Sequence, residues 1–279
     1  MELKNITYTI ENDFTFVGFG KFDEKSMTTF SREALAELGE VVDMISKNGN
    51  LKGVFFHSHK EGCFLAGMDI TVIDSLRSEN EAMLGCSAGQ ELFNMIEDLT
   101  IPTVALVDGI CLGGGLELAL SCKFIIATDS PKTKIGLPEV MLGVLPGFGG
   151  TYRLPLRLQL PDALDLLLSG KQVDAKKARK IGLVDFVVPK EKLYSLATVL
   201  LPTLLKQAEE KQGTVQAYIM KTFVARKFIF QKARENVLKL TKGFYPAPLK
   251  ILEHVEKNYG KERATYLQSE ASIFAKIKK

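Results

Sequence analysis

Three short, almost wholly apolar runs, Gly53 to His57, Thr103 to Val107 and Lys123 to Thr128, punctuate the first half of this 279-residue chain, with helical periodicity between them. A run apolar at nearly every position suits a strand buried on both faces, and such strands belong to parallel sheets covered by helices. The pattern predicts an α/β fold with parallel pairing. Ahead of it, Ile6 to Ile10 and Phe14 to Gly20 alternate around Glu11-Asn12-Asp13, the pattern of a hairpin with an acidic turn. Phe30, Leu35, Leu38, Val41, Val42 and Ile45 then recur at helical spacing until Asn48-Gly49-Asn50 stops them.

After Gly53 to His57 the sequence predicts a loop with Gly62 and Gly67, then a helix restarting near Asn80 that places Met83, Leu92, Met95, Ile96 and Leu99 on one side. The run Thr103 to Val107 leads through Asp108-Gly109 and Gly113-Gly114-Gly115 into a helix from Leu116 to Ser121, and a short strand is expected near Thr133 to Gly136. From Pro161 onward the pattern is mainly helical, apart from one strand over Leu183 to Val188. Asp174 caps a helix from Ala175 to Ile181 that Gly182 stops. The reading divides the chain into a core over residues 1–190 and a helical C-terminal region over 191–279, the latter packing on the core or on another subunit.

Composition narrows the class. With 46% hydrophobic and 25% charged residues, collagen-like, disulfide-scaffold and disordered chains are excluded. No apolar run approaches the roughly 18 to 20 residues of a membrane-spanning helix, and the start, MELKNITYTIEND, has neither an apolar signal core nor an Arg-rich presequence. Cys63, Cys86, Cys111 and Cys122 form no CxxC pair and sit among small or apolar residues, as reduced thiols of a cytoplasmic protein do. His57 and His59 at the end of an apolar strand read as exit-loop residues, and no metal site is expected. Residues 191–279 hold 17 Lys+Arg against 8 Glu and no Asp, yet without an aromatic-interleaved basic motif they read as a solvated face, with no nucleic-acid partner.

Two segments carry the chemistry. Three glycines at a strand-to-helix turn cost backbone entropy and have no packing value of their own, so they suit bare N–H groups held close to something that becomes negative. Glu117 lies in the first turn of the following apolar helix, and Glu139 follows Pro138 in another apolar stretch. Apolar surroundings raise a carboxyl pKa toward neutrality, where one glutamate can accept a proton while the other donates. Taken singly, Glu117 also suits the dipole of a helix N-terminus and Glu139 a salt bridge.

The strings GGGLELAL, IGLPEVMLGVLPGFGGTYRLPL and CFLAGMDI, in this order and spacing, resemble the enoyl-CoA hydratase/isomerase (crotonase) family over roughly residues 10 to 190. The tail FYPAPLKILEHVEKNYG resembles the segment after the hydratase part of multifunctional fatty-acid oxidation α subunits. The resemblance implies a crotonase spiral of ββα units with a helical C-terminal region. It implies an enzyme hydrating trans-2-enoyl-CoA in β-oxidation, with Δ3-Δ2-enoyl-CoA isomerase, or the N-terminal fragment of a hydratase/3-hydroxyacyl-CoA dehydrogenase, as the alternatives. Glu117 would then activate the water that adds at C3 and Glu139 would protonate C2. The Met68 and Gly114 amides would form the oxyanion hole, with Met68 standing where alanine is common, and Ala66, Gly67, Gly113, Pro138 and Gly147 would line the thioester. Asp69 reads as a helix cap. CoA enters only as part of the substrate, no separate cofactor is implied, and no GxGxxG fingerprint marks an NAD site. Lys221, Lys227, Lys232 and Arg234 are the candidates for the CoA phosphate. The implied partners are further copies of the chain, or a thiolase β subunit.

Overall fold

The computed structural model describes residues 3–20, 27–210 and 223–277. Strands β1 (Ile6–Glu11) and β2 (Phe14–Phe19) form an antiparallel hairpin. Its two turn residues, Asn12 and Asp13, have φ of 50° and 67°, the left-handed pair that a tight hairpin needs and that Asn and Asp tolerate. From β2 the sheet grows in parallel through β3 (Gly53–Ser58), β5 (Thr103–Val107), β7 (Phe124–Thr128) and β9 (Phe186–Val188). A second parallel sheet holds β4 (Cys63–Leu65), β6 (Ile110–Leu112) and β8 (Lys134–Gly136). The first unit keeps both strands, β1 and β2, in the large sheet; the next three each give their first strand to the large sheet and their second to the small one before turning into helices. α2 (Ile70–Ser75) and α3 (Glu79–Glu97) follow β4, α4 (Gly114–Ser121) follows β6, and a 3-10 turn (Pro138–Leu142), α5 (Gly150–Arg157) and α6 (Leu160–Ser169) follow β8. This is the expected spiral of ββα units.

The alternation along the central strands separates two cores. Phe55, Val104, Leu106, Phe124 and Ile126 meet Leu193, Ala197, Leu201 and Leu204 of α8 (Leu193–Glu210) on one face of the large sheet. Val54, Phe56, Ala105, Val107, Ile125 and Ala127 belong to the other core, with α1 (Arg32–Ser46), α3 and α4. α7 (Ala175–Ile181) leads into β9, and α9 (Phe223–Thr241), α10 (Ala247–Asn258) and α11 (Arg263–Ile277) close the chain. Ile251, Leu252 and Val255 of α10 and Ala271, Phe274 and Ala275 of α11 join the second core, so this tail packs on the chain itself. Among the described residues no helix is long and apolar enough to cross a membrane.

Several expectations need correction. Cys63–Leu65, read as loop, and Ile110–Leu112, assigned to no element, are strands; three residues are too few to express a period of two, and their partners lie in a sheet of their own. α4 begins at Gly114, not Leu116, and a helix at Gly150–Arg157 precedes Pro161. Both starts are glycine-rich, which hides a helix from propensity. On α3 the buried stripe is Ala82, Cys86, Gly89, Gln90, Leu92, Phe93 and Ile96, whereas Met83 and Met95 are 38% and 37% exposed. Small residues face inward there. The run 183–188 forms strand only from Phe186, because the Leu183 amide closes the end of α7 on the Ala178 carbonyl. His57 is not in the exit loop: it is the next-to-last residue of β3, is buried, and its Nδ1 lies 3.2 Å from the Tyr194 hydroxyl. Burial pushes its pKa down to about 4.

Gly109 joins the β5 and β6 strands at φ 79°, where an added Cβ would sit 1.9 Å from the Gly62 carbonyl oxygen. Gly109→Ala is expected to lower stability by roughly 3 kcal/mol or more, from left-handed strain plus a backbone collision. A denaturant midpoint unchanged from the unmodified chain would contradict this packing.

Candidate active site

A cavity of about 1140 Å³ opens between α1, α3 and the start of α4. Its walls are mostly apolar, with Leu35, Val72, Ile73, Leu92, Phe148 and Phe274 supplying bulk. Ala66, Gly67 and Met68, which follow β4, line it beside Gly113 and Gly114, which follow β6. Glu117, Pro138, Glu139 and Gly147 complete the set, so all nine residues singled out from the sequence face one space.

The two glycine turns are pressed together. A Cβ built on Gly114 would lie 3.7 Å from the Met68 nitrogen, and one on Gly67 3.6 Å from the Gly114 nitrogen. Gly113 caps α4 at φ 54°, a conformation that leaves the first helical amides pointing outward. Gly115 admits no side chain, since its Cβ would meet the Leu65 carbonyl oxygen at 2.3 Å. That close approach seats the helix start on β4. Among the described residues neither the Met68 nor the Gly114 N–H donates to a protein acceptor. Two adjacent free amides at a helix N-terminus suit an oxygen that gains negative charge.

Glu117 projects from the first turn of α4 and is 2% exposed. Its Oε1 accepts the Phe148 and Gly150 N–H groups, each at 2.7 Å. Burial, reinforced by the charges of Glu139 and Glu270, holds its carboxyl well above the usual range, while the two amides pull the other way. Glu139 follows Pro138 in the 3-10 turn; its Oε2 is sealed from water with no hydrogen-bond partner, and its Oε1 would lie 3.0 Å from a Cβ on Gly113. Burial pushes this carboxyl up to about 7. The Glu139 backbone hydrogen bond lowers its pKa and the Glu270 charge raises it further. Two buried, mutually repelling carboxyls, both raised above the ordinary range, hold one proton between them readily and two charges poorly. The arrangement can take a proton at one carboxylate and give one at the other, beside a site for an oxyanion.

Asp69 accepts from the Thr71 N–H at 2.8 Å and caps α2. Three of the basic residues named for the phosphate are absent from the cavity lining: Arg234 pairs with Glu253 and Glu256, Lys232 with Glu235, and Lys227 lies elsewhere on α9. The fourth, Lys221, lies outside the described residues. Arg32 and Arg77 line it instead. Glu270 of α11 escaped the sequence reading. It is fully buried, and Tyr266, Leu267 and Phe274, three or four residues away, are apolar or aromatic and buried, as is the adjacent Ala271. A glutamate on an apolar helical stripe was the available signal.

The enoyl-CoA hydratase/isomerase family model matches residues 17–243. The chain belongs to that family. It is 40% identical over 253 residues to a fatty acid oxidation complex subunit alpha of Vibrio campbellii, covering 91% of this chain and 36% of that protein. A Vibrio cholerae protein of the same name is 43% identical over 235 residues, 83% of this chain and 33% of its own length. The chain therefore spans about a third of the relatives it matches. A crystal structure of an enoyl-CoA hydratase from Bacillus anthracis superposes with a TM-score of 0.68 at 27% identity, covering 85% of this chain and 92% of the other.

Proposed function

We propose that this member of the family hydrates trans-2-enoyl-CoA thioesters to 3-hydroxyacyl-CoA, the reaction of a fatty-acid β-oxidation hydratase. The observation that carries the reading is the convergence of two buried glutamates and two unoccupied amides on one apolar cavity. The thioester oxygen sits against the Met68 and Gly114 N–H groups. Glu117, fixed through Oε1, offers its other oxygen to a water molecule and takes a proton as the water oxygen bonds to C3. The charge that moves onto the thioester oxygen is met by the two amides and the positive end of α4. Protonated Glu139 delivers its proton to C2, leaving Glu117 protonated and Glu139 ionised, and transfer of one proton between them restores the starting pair. CoA enters as part of the substrate, and Arg32 and Arg77 at the cavity wall suit its phosphates.

The test is loss of the conjugated enoyl-thioester absorbance when the purified chain meets crotonyl-CoA. Turnover supports the reading, and a folded chain without turnover contradicts it. The family description and the unpartnered Glu139 oxygen favour a second reading, Δ3-Δ2 isomerisation, in which Glu139 moves a proton between C2 and C4. That activity would survive Glu117→Gln. The relatives' name, subunit alpha of a complex, supports the further proposal that the chain assembles with other subunits, a thiolase β subunit or its own copies. The free, buried cysteines suit the reducing cytoplasm that we propose as its location. The division at residues 190 and 191 enters the proposal only as a change from sheet-forming to helical sequence, because Phe274 from the second part lines the cavity.

A further inference from the structure

The turn from Phe148 to Thr151 distributes four successive amides between two buried carboxylates. The Phe148 and Gly150 N–H groups donate to Glu117, whereas the Gly149 N–H donates to Glu270 Oε1 at 2.7 Å and the Thr151 N–H to Glu270 Oε2 at 3.1 Å. Glu270 Oε1 also accepts from Gln90 Nε2 at 3.0 Å, and Oε2 from the Thr151 hydroxyl. Four donors and no acceptor surround it, so it serves as an ionised carboxylate rather than a proton carrier. With its hydrogen directed at Glu270, the Thr151 hydroxyl accepts from His254 Nε2 at 3.1 Å, and His254 Nδ1 then accepts from Asn258 Nδ2 at 3.1 Å. The Tyr266 hydroxyl holds the Thr151 carbonyl at 2.8 Å, and Arg153 holds that of Phe148 at 2.8 Å.

We propose that Glu270 is a positioning residue for the Glu117 base: by taking the Gly149 and Thr151 amides, it turns the alternate amides of Phe148 and Gly150 onto Glu117. The argument rests on the hydratase reading above. Glu270 never touches substrate; it fixes which oxygen of Glu117 is left for water. The titratable groups around it are Glu117 and Glu139 across the turn, Cys86 from α3, Arg153 from α5, His254 from α10 and Tyr266 on its own helix. A glutamine there keeps the shape but turns donors toward donors and removes a negative charge that faces both catalytic candidates.

The experiment measures kcat and KM for crotonyl-CoA from pH 5 to 9, with thermal unfolding alongside, for the unmodified chain and Glu270→Gln. Expected is a kcat lower by about 10- to 100-fold with KM within a few-fold, as for a misplaced catalytic group. Both limbs of the kcat profile should move to lower pH, since the lost charge was raising both carboxyls. A folded Glu270→Gln protein with unchanged kcat and profile overturns the proposal and leaves the hydratase reading intact. An unmodified chain that turns over no crotonyl-CoA overturns that reading and the role of Glu270 with it. If Glu270→Gln does not fold, Thr151→Val carries the test: it removes one donor, and kcat should fall several-fold at constant KM. Full kcat in folded Thr151→Val overturns the proposal equally.

Discussion

Glu117→Gln is expected to slow hydration of crotonyl-CoA by about 100-fold or more while leaving KM within a few-fold, the loss typical of a general base. The reason is directional. The Phe148 and Gly150 amides both point at one oxygen of this side chain, so a glutamine must present its carbonyl there and turn its NH2 toward the water. A water that receives a hydrogen bond where it should give one presents the wrong face to C3. The fold has little reason to suffer, because the replacement still accepts from both amides and no longer buries a charge. Steady-state kinetics with the unfolding temperature measured alongside separate these effects. A variant retaining a tenth or more of the rate would remove Glu117 from the base role.

Glu139→Gln is expected to cost hydration at least as much, about 100-fold or more, because it removes the acid that the proposed reaction places at C2. It should also make the protein more stable at alkaline pH. The folded carboxyl ionises at about 7 against an ordinary 4.5, so the folded state binds the proton more tightly than the unfolded one. That contribution is complete below 4.5 and is lost as pH rises through about 7. Above that window the chain carries a buried carboxylate whose Oε2 has no partner. A glutamine cannot ionise, and the variant should gain on the order of 1 to 3 kcal/mol relative to the unmodified chain at pH 8, with the gain vanishing near pH 4.5. Denaturant melts at the two pH values check this. In the unmodified enzyme the same ionisation should make kcat fall as pH rises through about 7, since the acid must start protonated.

How much of the molecule the sequence disclosed depends on how locally each feature is encoded. The hairpin, the fully apolar strands and the caps Asp69, Asp174 and Gly182 are set by neighbours within a few residues, and each stands where its pattern placed it. The glycine triplet, Glu117 and Glu139 stood out because glycines and isolated glutamates in apolar surroundings serve packing poorly, whereas Ala66, Gly67, Met68, Pro138 and Gly147 came from the family resemblance; Gly113, Gly114, both glutamates and those five line one cavity. The three-residue strands β4 and β6 were not legible, since only their partners in the small sheet define them. The arrival of Glu270 beside Glu117 was hidden for the same reason: it depends on α11 crossing α3 and α5, a contact between distant parts of the chain. The choice among the phosphate candidates stays open on another ground. Net charge in the tail does not say where the tail lies, and Arg234 and Lys232 spend their charge on exposed glutamates.

The central claim is that Glu117 and Glu139 act on one substrate as a single acid–base unit. It is tested most directly by kcat for crotonyl-CoA hydration in the unmodified chain, the two glutamine variants and the double variant, measured together at neutral pH. The account predicts that the double variant is about as slow as the slower single one, because a unit that has lost either member keeps only what the oxyanion hole and binding supply. Losses that multiply, or a single variant close to the unmodified rate, would show that the two carboxyls do not share the reaction.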